Sequence, residues 1–401
     1  MEILNRPVYT DRIRPFIGKG IIKVLIGQRR VGKSSLLLQL MKDIKKEHPK
    51  ANIIYVNREL ESFHFIKDDK DLFALLREKI LKGRHNYLFV DEVQDITGFE
   101  NVFRSLLSTE ACDIFCTGSN ANLLSGELAT YLSGRTIEFT IHSLSYSEFL
   151  YFHGLIDSDD TLRLFLKYGG MPHLSRLTLD DETAFEYLRN VYSTILLKDV
   201  VKREGIRNID FLETLVSYLA DNVGNLFSAT NISKFLKSQR VGMSPMVIIN
   251  YLKALSNAFI INKITRIDIH GLKKFEIGEK YFFEDLGLRN CIGNFNIGND
   301  IHKLIENAVY QHLKFLQFDV YVGKYDAFEI DFVGIRREKK VYVQVSFLIT
   351  DEKTRQREYD QLLKISDNFP KYLVSMDPII MGDVQGIHHT HLRTFLMKTE
   401  L

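Results

Sequence analysis

Cysteine is scarce in this chain: three in 401 residues, at Cys112, Cys116 and Cys291. Cys112 and Cys116 fall in one strand-like run, and no partnering Cys/His pair has zinc-finger spacing. That excludes a disulfide framework and a zinc finger and leaves reduced core thiols. An excess of charge is also missing, since 53 basic and 51 acidic residues leave +2. The chain as a whole is therefore no obvious nucleic-acid binder, although local patches remain open. No apolar run approaches the ~20 residues a membrane helix needs. The segment Met1–Pro7 is too charged and too short in apolar residues for a signal peptide. The expectation is a cytoplasmic protein with no membrane partner. Repeats, low-complexity stretches and long linkers are absent too. What remains is globular, 45% apolar and 26% charged, and its length suggests about two to three domains.

The most informative stretch is Ile21 to Ser35. Ile21–Ile26 reads as a buried strand, and Gly27-Gln28-Arg29-Arg30-Val31-Gly32-Lys33-Ser34-Ser35 fits the phosphate-loop pattern G-x-x-x-x-G-K-[ST]. The glycines let successive N–H groups turn inward around a phosphate. Lys33 brings a charge to the outer phosphates, Ser34 a hydroxyl for Mg²⁺, and the following helix its positive end. Leu36, Leu37, Leu40, Met41 and Ile44 keep a helical stripe after the loop. The residues from Gly27 to Ser35 are thus the expected nucleotide-binding set, for ATP or ADP.

Strand-like runs at Asn52–Val56, Tyr87–Val90, Asp113–Thr117 and Thr136–Ile141 alternate with helical ones, predicting a parallel sheet covered on both faces. Asp91 and Glu92 end the Tyr87 strand, where open α/β sheets place ligands. Asp91 is expected to join Ser34 as a metal ligand, mostly through water, and Glu92 to polarise the attacking water. Thr117-Gly118-Ser119-Asn120 ends the next strand. It reads either as a γ-phosphate sensor through Asn120 or as an ordinary turn. Arg135 reads as a phosphate-facing arginine, in cis or in trans, or as a solvated one.

These motifs carry a family resemblance. Gln28 to Ser34, the Asp91-Glu-Val-Gln stretch, the Thr117–Asn120 tip and Gly134-Arg135 resemble prokaryotic AAA-type ATPases. Within these the chain resembles the group that joins the ATPase to a C-terminal domain of unknown function, and it is also similar to the signal-transducing ATPases with numerous domains. The resemblance implies an α/β fold in four parts: an ATPase core at 1–155, a helical lid at 156–208, a winged helix at 209–290, and a PD-(D/E)XK nuclease-like domain at 291–401. It further implies that Gly170-Met171-Pro172 brings Pro172 against the adenine.

The middle segment reads as helix, turn, helix and hairpin. Its second helix, opened by Ser244 and Pro245, carries Lys253 as its one basic residue, which favours a structural lever over a DNA reader; Lys234, Lys237 and Arg240 keep the DNA reading open. Further on, a helix from Asp300 to Gln317 carries Glu306. Phe328-Glu-Ile-Asp331 and Val341-Tyr-Val-Gln344-Val-Ser346 alternate as strands. Glu306, Asp331, Gln344 and Ser346 resemble the nuclease set in a degenerate form, because serine cannot replace the lysine that orients water and balances charge. The basic turn at 336–340 with Arg355 and Arg357 is either a nucleic-acid contact or a solvated edge.

The leading expectation is a Mg²⁺-dependent ATPase switch whose lid and winged helix move with nucleotide state. Lys33, Glu92 and Arg135 are its catalytic candidates, and nuclease activity is not expected. An ATP-gated DNA nuclease and a nucleotide-dependent DNA-binding regulator are the alternatives. A protein partner through the C-terminal domain and self-association stay open.

Overall fold

Five consecutive buried residues, Ile22–Ile26, form strand β1. They lie in a unit made of Met1–His142 and Asn257–Phe259, while Ser143–Ser256 and Ile260–Leu401 form a second. The computed structural model describes residues 4–123, 132, 134–238, 241–293, 295–326, 328–349, 352–380 and 382–401.

In the first unit, helix α1 (Pro7–Ile13) precedes β1 and α2 (Lys33–Glu47) follows it. Then come β2 (Asn52–Asn57), α3 (Asp69–Lys79), β3 (Asn86–Asp91), α4 (Phe99–Ser108), β4 (Asp113–Gly118) and β5 (Thr136–Thr140). Helix α3 starts where the Asp68 carboxylate accepts from the Lys70 and Asp71 N–H groups. The strands pair in parallel in the order β2-β3-β4-β1-β5. Such a sheet is apolar on both faces, as the wholly buried β1 and β3 require. Val102, Phe103 and Leu106 of α4 pack against Leu88, Val90 and Ile114 in the main core. Because β4 inserts between β3 and β1, and β5 lies on the other side of β1, the strand order reverses beside β1. Open α/β sheets bind ligands at the carboxyl ends of strands at such a point.

The first stretch of this unit ends at His142. The reason is local: Leu144 N donates to Gly170 O at 2.7 Å, and Ser145 with Glu148 forms a capping box that starts a helix of the second unit.

The second unit opens with α5 (Tyr146–His153), α6 (Asp159–Tyr168) and α7 (Asp181–Ile195). The amphipathic run Glu182–Lys202 is not one helix, for the chain widens into π-type turns over Leu196–Lys202. Then follow α8 (Ile209–Asp221), α9 (Ala229–Ser238), α10 (Pro245–Asn257) and the hairpin β6 (Ile261–Asp268)–β7 (Lys274–Phe283). A third helix, Ile209–Asp221, thus precedes the two helices and hairpin read from the sequence.

Beyond the hairpin lie α11 (Leu286–Ile292), α12 (Ile297–Phe315), β8 (Asp319–Tyr325), β9 (Phe328–Arg336), β10 (Lys339–Val345), α13 (Glu352–Leu363), β11 (Lys371–Ser375), β12 (Asp383–Val384), β13 (Ile387–His391) and α14 (Leu392–Leu396). One eight-stranded sheet runs β12-β13-β11-β10-β9-β8-β6-β7. The hairpin thus shares a sheet with the C-terminal strands, β6 pairing with β8 through Arg266–Val322, Ile267–Gly323 and Asp268–Lys324. Among the described residues no helix is long and apolar enough to cross a membrane.

Candidate functional site

The loop between β1 and α2 depends on its glycines. Gly27 has φ +150° and Gly32 φ +98°, and a Cβ at Gly27 would lie 2.2 Å from Ile141 O. Arg30 adopts φ +73° without being glycine. Buried Arg6 supports the turn from outside, donating to Val31 O at 3.1 Å and to His142 O at 3.0 Å. Gln28 donates its amide N–H to Phe259 O at 2.8 Å. Arg29 pairs with Glu59 at 3.1 Å, while Arg30 and Ser35 are exposed.

Lys33 is 4% exposed, and its ammonium donates to Gly27 O and Gln28 O, each at 2.9 Å. The charge is held in the mouth of the loop. The Ser34 hydroxyl hydrogen-bonds the Asp91 carboxylate. Asp91 is buried, accepting from Thr117 Oγ1 at 2.5 Å and from Tyr55 Oη at 3.4 Å. Thr117 Oγ1 in turn accepts from Glu92 N at 2.9 Å. Glu92 sits at φ +54°, an uncommon conformation for a side-chain-bearing residue, and Gln94 and Ser119 donate to its carboxylate. Loop and acidic strand end therefore form one hydrogen-bonded cluster.

The environment separates the two acids. Burial pushes the Asp91 carboxyl above its ordinary range, against hydrogen bonds from Thr117 and Ser34. Burial also opposes ionisation of Glu92, but Lys33, Arg29 and the bonds from Gln94 and Ser119 outweigh it and hold this carboxyl below its usual value. Ser34 and Asp91 offer hard oxygens only, a donor set that fits Mg²⁺ with several of its own waters.

The Asn120 side-chain oxygen accepts from Asn122 N at 2.8 Å, so it serves the turn, and it is Ser119 that meets Glu92. Arg135 is exposed and directly precedes the Thr136–Ile22 pair. The loop follows Ile26 at the other end of β1, roughly 17 Å away for five extended residues. Pro172 belongs to the second unit, half-buried at the head of the short 3-10 turn Pro172–Arg176. Gly170 before it is clamped: its N–H donates to Asp285 at 2.8 Å, and a Cβ there would lie 2.3 Å from Leu144 O.

Sequence reasoning missed Tyr55, Gln94 and Arg6. Gln94 stands two residues beyond Glu92 and was within reach of the motif; Tyr55 and Arg6 carry no local signal. Arg240 lies outside the described residues.

In the second unit, Glu306, Asp331 and Gln344 do come together. Asp331 N donates to Gln344 Oε1 at 3.2 Å, and Asp331 Oδ2 accepts from Val345 N at 2.9 Å. Ser346 stands just past β10, its hydroxyl 3.5 Å from Leu348 O. A cation is present after all, from another strand. Lys280 of β7 lies 3.0 Å from Glu306, 3.1 Å from Glu329 and 3.6 Å from Asp331.

Residues 19–150 match the family described as AAA domain, and residues 159–299 match a domain of unknown function. An uncharacterized protein of Haemophilus influenzae is 35% identical over 99% of both chains. The uncharacterized protein MJ1544 of Methanocaldococcus jannaschii is 30% identical over 86% of this chain and 79% of its own. Likeness to solved structures is remote. The ORC1 protein of Aeropyrum pernix in complex with DNA is 11% identical with a TM-score of 0.33, over 73% of this chain and 94% of that one. DnaA of Aquifex aeolicus bound to AMPPCP is 16% identical with a TM-score of 0.33, over 64% and 89%. Neither bears on function at that distance. The chain belongs to one family with the Haemophilus and Methanocaldococcus proteins, and within it the AAA domain carries the phosphate loop and the acidic strand end.

Proposed function

We propose that this protein is a Mg²⁺-dependent ATPase acting as a molecular switch. The observation that carries the reading is the cluster of Lys33, Ser34, Asp91 and Glu92 at the carboxyl ends of β1 and β3, the two strands that flank β4 in the parallel sheet. Loop N–H groups and Lys33 would take the β- and γ-phosphate oxygens, Lys33 exchanging its two carbonyl partners for them. Ser34 and Asp91 would hold Mg²⁺, which shields phosphate charge when bound. Glu92, kept ionised, orders the attacking water and accepts its proton as the water oxygen bonds to the γ-phosphorus and the bond to the β-phosphate oxygen breaks, leaving ADP and phosphate. Ser119 and Gln94 fix the Glu92 carboxylate for that role.

Pro172 is proposed to touch the adenine. Arg135 is proposed to act in trans, on the site of a second copy, because the parallel register of β1 and β5 sets it at the far end of the sheet from its own loop. Hydrolysis would then be read out as a changed disposition of the helical and C-terminal parts.

ATP turnover with and without DNA, beside a Glu92→Gln variant, tests the reading. The variant should bind ATP and Mg²⁺ like the parent and hydrolyse roughly 10²- to 10⁴-fold more slowly, the usual contribution of a positioned base. Turnover equal to the parent's would transfer the role to another acid, Asp95 first.

A further inference from the structure

The second unit contains a lysine whose position is hard to explain as packing. Lys280 is 3% exposed and stands on β7, yet its ammonium reaches Glu306 on α12 and Glu329 and Asp331 on β9. The hairpin's register shifts between Thr265 and Ile267, and Phe282 of β7 meets Phe332 of β9 with ring centroids 5.4 Å apart. The neighbouring loop closes the cluster from the other side. A Cβ at Gly224 would lie 2.2 Å from Glu306 Oε2, and Phe227 and Glu279 exchange backbone hydrogen bonds at 2.8 and 3.2 Å.

The carboxylates converge on the ammonium. A nuclease lysine stands beside a metal and faces the scissile phosphate; this one stands among the would-be metal ligands. A divalent cation about 2.1 Å from the same Glu306 oxygen could be no further than about 5 Å from Nζ, where two buried positive centres repel strongly. Among the described residues no group of three or more His, Cys, Asp and Glu is arranged to hold a metal ion. Glu358 adds further negative charge beside Asp331, and Gln344 is occupied by Asp331 N.

We propose that Lys280 is a built-in cation: its ammonium takes the place of a divalent metal in the Glu306–Glu329–Asp331 cluster, which accepts such a metal only once this lysine is removed. The resident charge ties the hairpin to the C-terminal sheet and makes this centre metal-independent. Ser346 then needs no explanation as a lost catalytic lysine alone, because the metal that such a lysine serves is displaced as well.

The test is Mn²⁺ binding to the full chain without nucleotide, followed by the electron spin resonance signal of free Mn²⁺. Wild type and Asp331→Asn should bind identically. Lys280→Ala should gain one Mn²⁺ per chain, at least about tenfold tighter than anything the wild type holds, since one nearby positive charge is gone. Lys280→Ala/Asp331→Asn should lose it again. Thermal melting of Lys280→Ala should rise with Mn²⁺ while that of the wild type does not. If alanine prevents folding, Lys280→Met keeps the apolar stem and serves in its place. Wild-type binding removed by Asp331→Asn overturns the proposal without any Lys280 variant, and so does a folded Lys280 variant that gains no ion.

Discussion

Lys33 shows how much one side chain can hold. Its ammonium spans the two carbonyls of Gly27 and Gln28 and supplies the charge that, with Arg29, keeps Glu92 ionised. Replacing it removes a charge-assisted bond to phosphate and leaves the backbone cradle. Lys33→Ala should weaken ATP binding roughly ten- to hundredfold, as the loss of about 1.5–3 kcal/mol implies, in an isothermal titration. Unchanged affinity in a folded variant would remove the basis of the ATPase reading. Lys33, Ser34, Asp91 and Glu92 were all legible in the sequence, because a phosphate loop and an acidic strand end are set by short-range spacing. Asn120 was legible only as a candidate: Thr-Gly-Ser-Asn carries turn chemistry and sensor chemistry at once, and the fold turns Thr117 and Ser119 to the acids and Asn120 to its own turn.

Elements carry the next level of information. Helix α11 is capped by Asp285, which accepts from Leu288 N at 2.9 Å and also from Gly170 N, so one buried carboxyl serves a helix start and the Gly170-Met171-Pro172 turn. Burial raises its pKa to about 6, against those bonds and one from Ser143. A raised acid keeps its proton in the folded state at a pH where the unfolded chain, near 3.9, has released it. Its contribution to stability is therefore present below about pH 4 and lost as pH rises through about 6, at most roughly 3 kcal/mol. Urea unfolding of wild type and Asp285→Asn at pH 4 and pH 7 checks this. The advantage of wild type should shrink at the higher pH, and an equal gap at both values would count against it. The strands of the first unit followed from apolar runs and the Ser244–Pro245 start of α10 from cap chemistry, whereas β8, α13 and β11 to β13 were not read from the sequence. The widening at Leu196–Lys202 was not either, since π-type turns keep the same apolar composition as the helix they interrupt.

At the scale of the molecule, the parallel register of β1 and β5 makes assembly testable. Arg135→Ala keeps the phosphate loop and Glu92; Glu92→Gln keeps the arginine. If Arg135 serves a neighbouring copy, each variant should be nearly inactive alone, and a mixture should regain a measurable fraction of wild-type ATP turnover that rises with protein concentration. A mixture no faster than the mean of its components would argue for a role within one copy or none.

The sequence by itself determined the nucleotide-binding loop, its acidic partner strand and the alternation that makes a parallel sheet. Each of these rests on spacing along the chain. Tertiary structure alone decided that β4 enters between β1 and β3, that the first stretch of the first unit ends at His142, and that the hairpin joins the C-terminal sheet. It alone brought Arg6 to Val31, Tyr55 to Asp91, and Lys280 to three carboxylates. Those pairs are far apart in sequence, and a lone arginine, tyrosine or lysine has no period to announce its partner. Only the path of the backbone brings their charges and hydroxyls within hydrogen-bond distance.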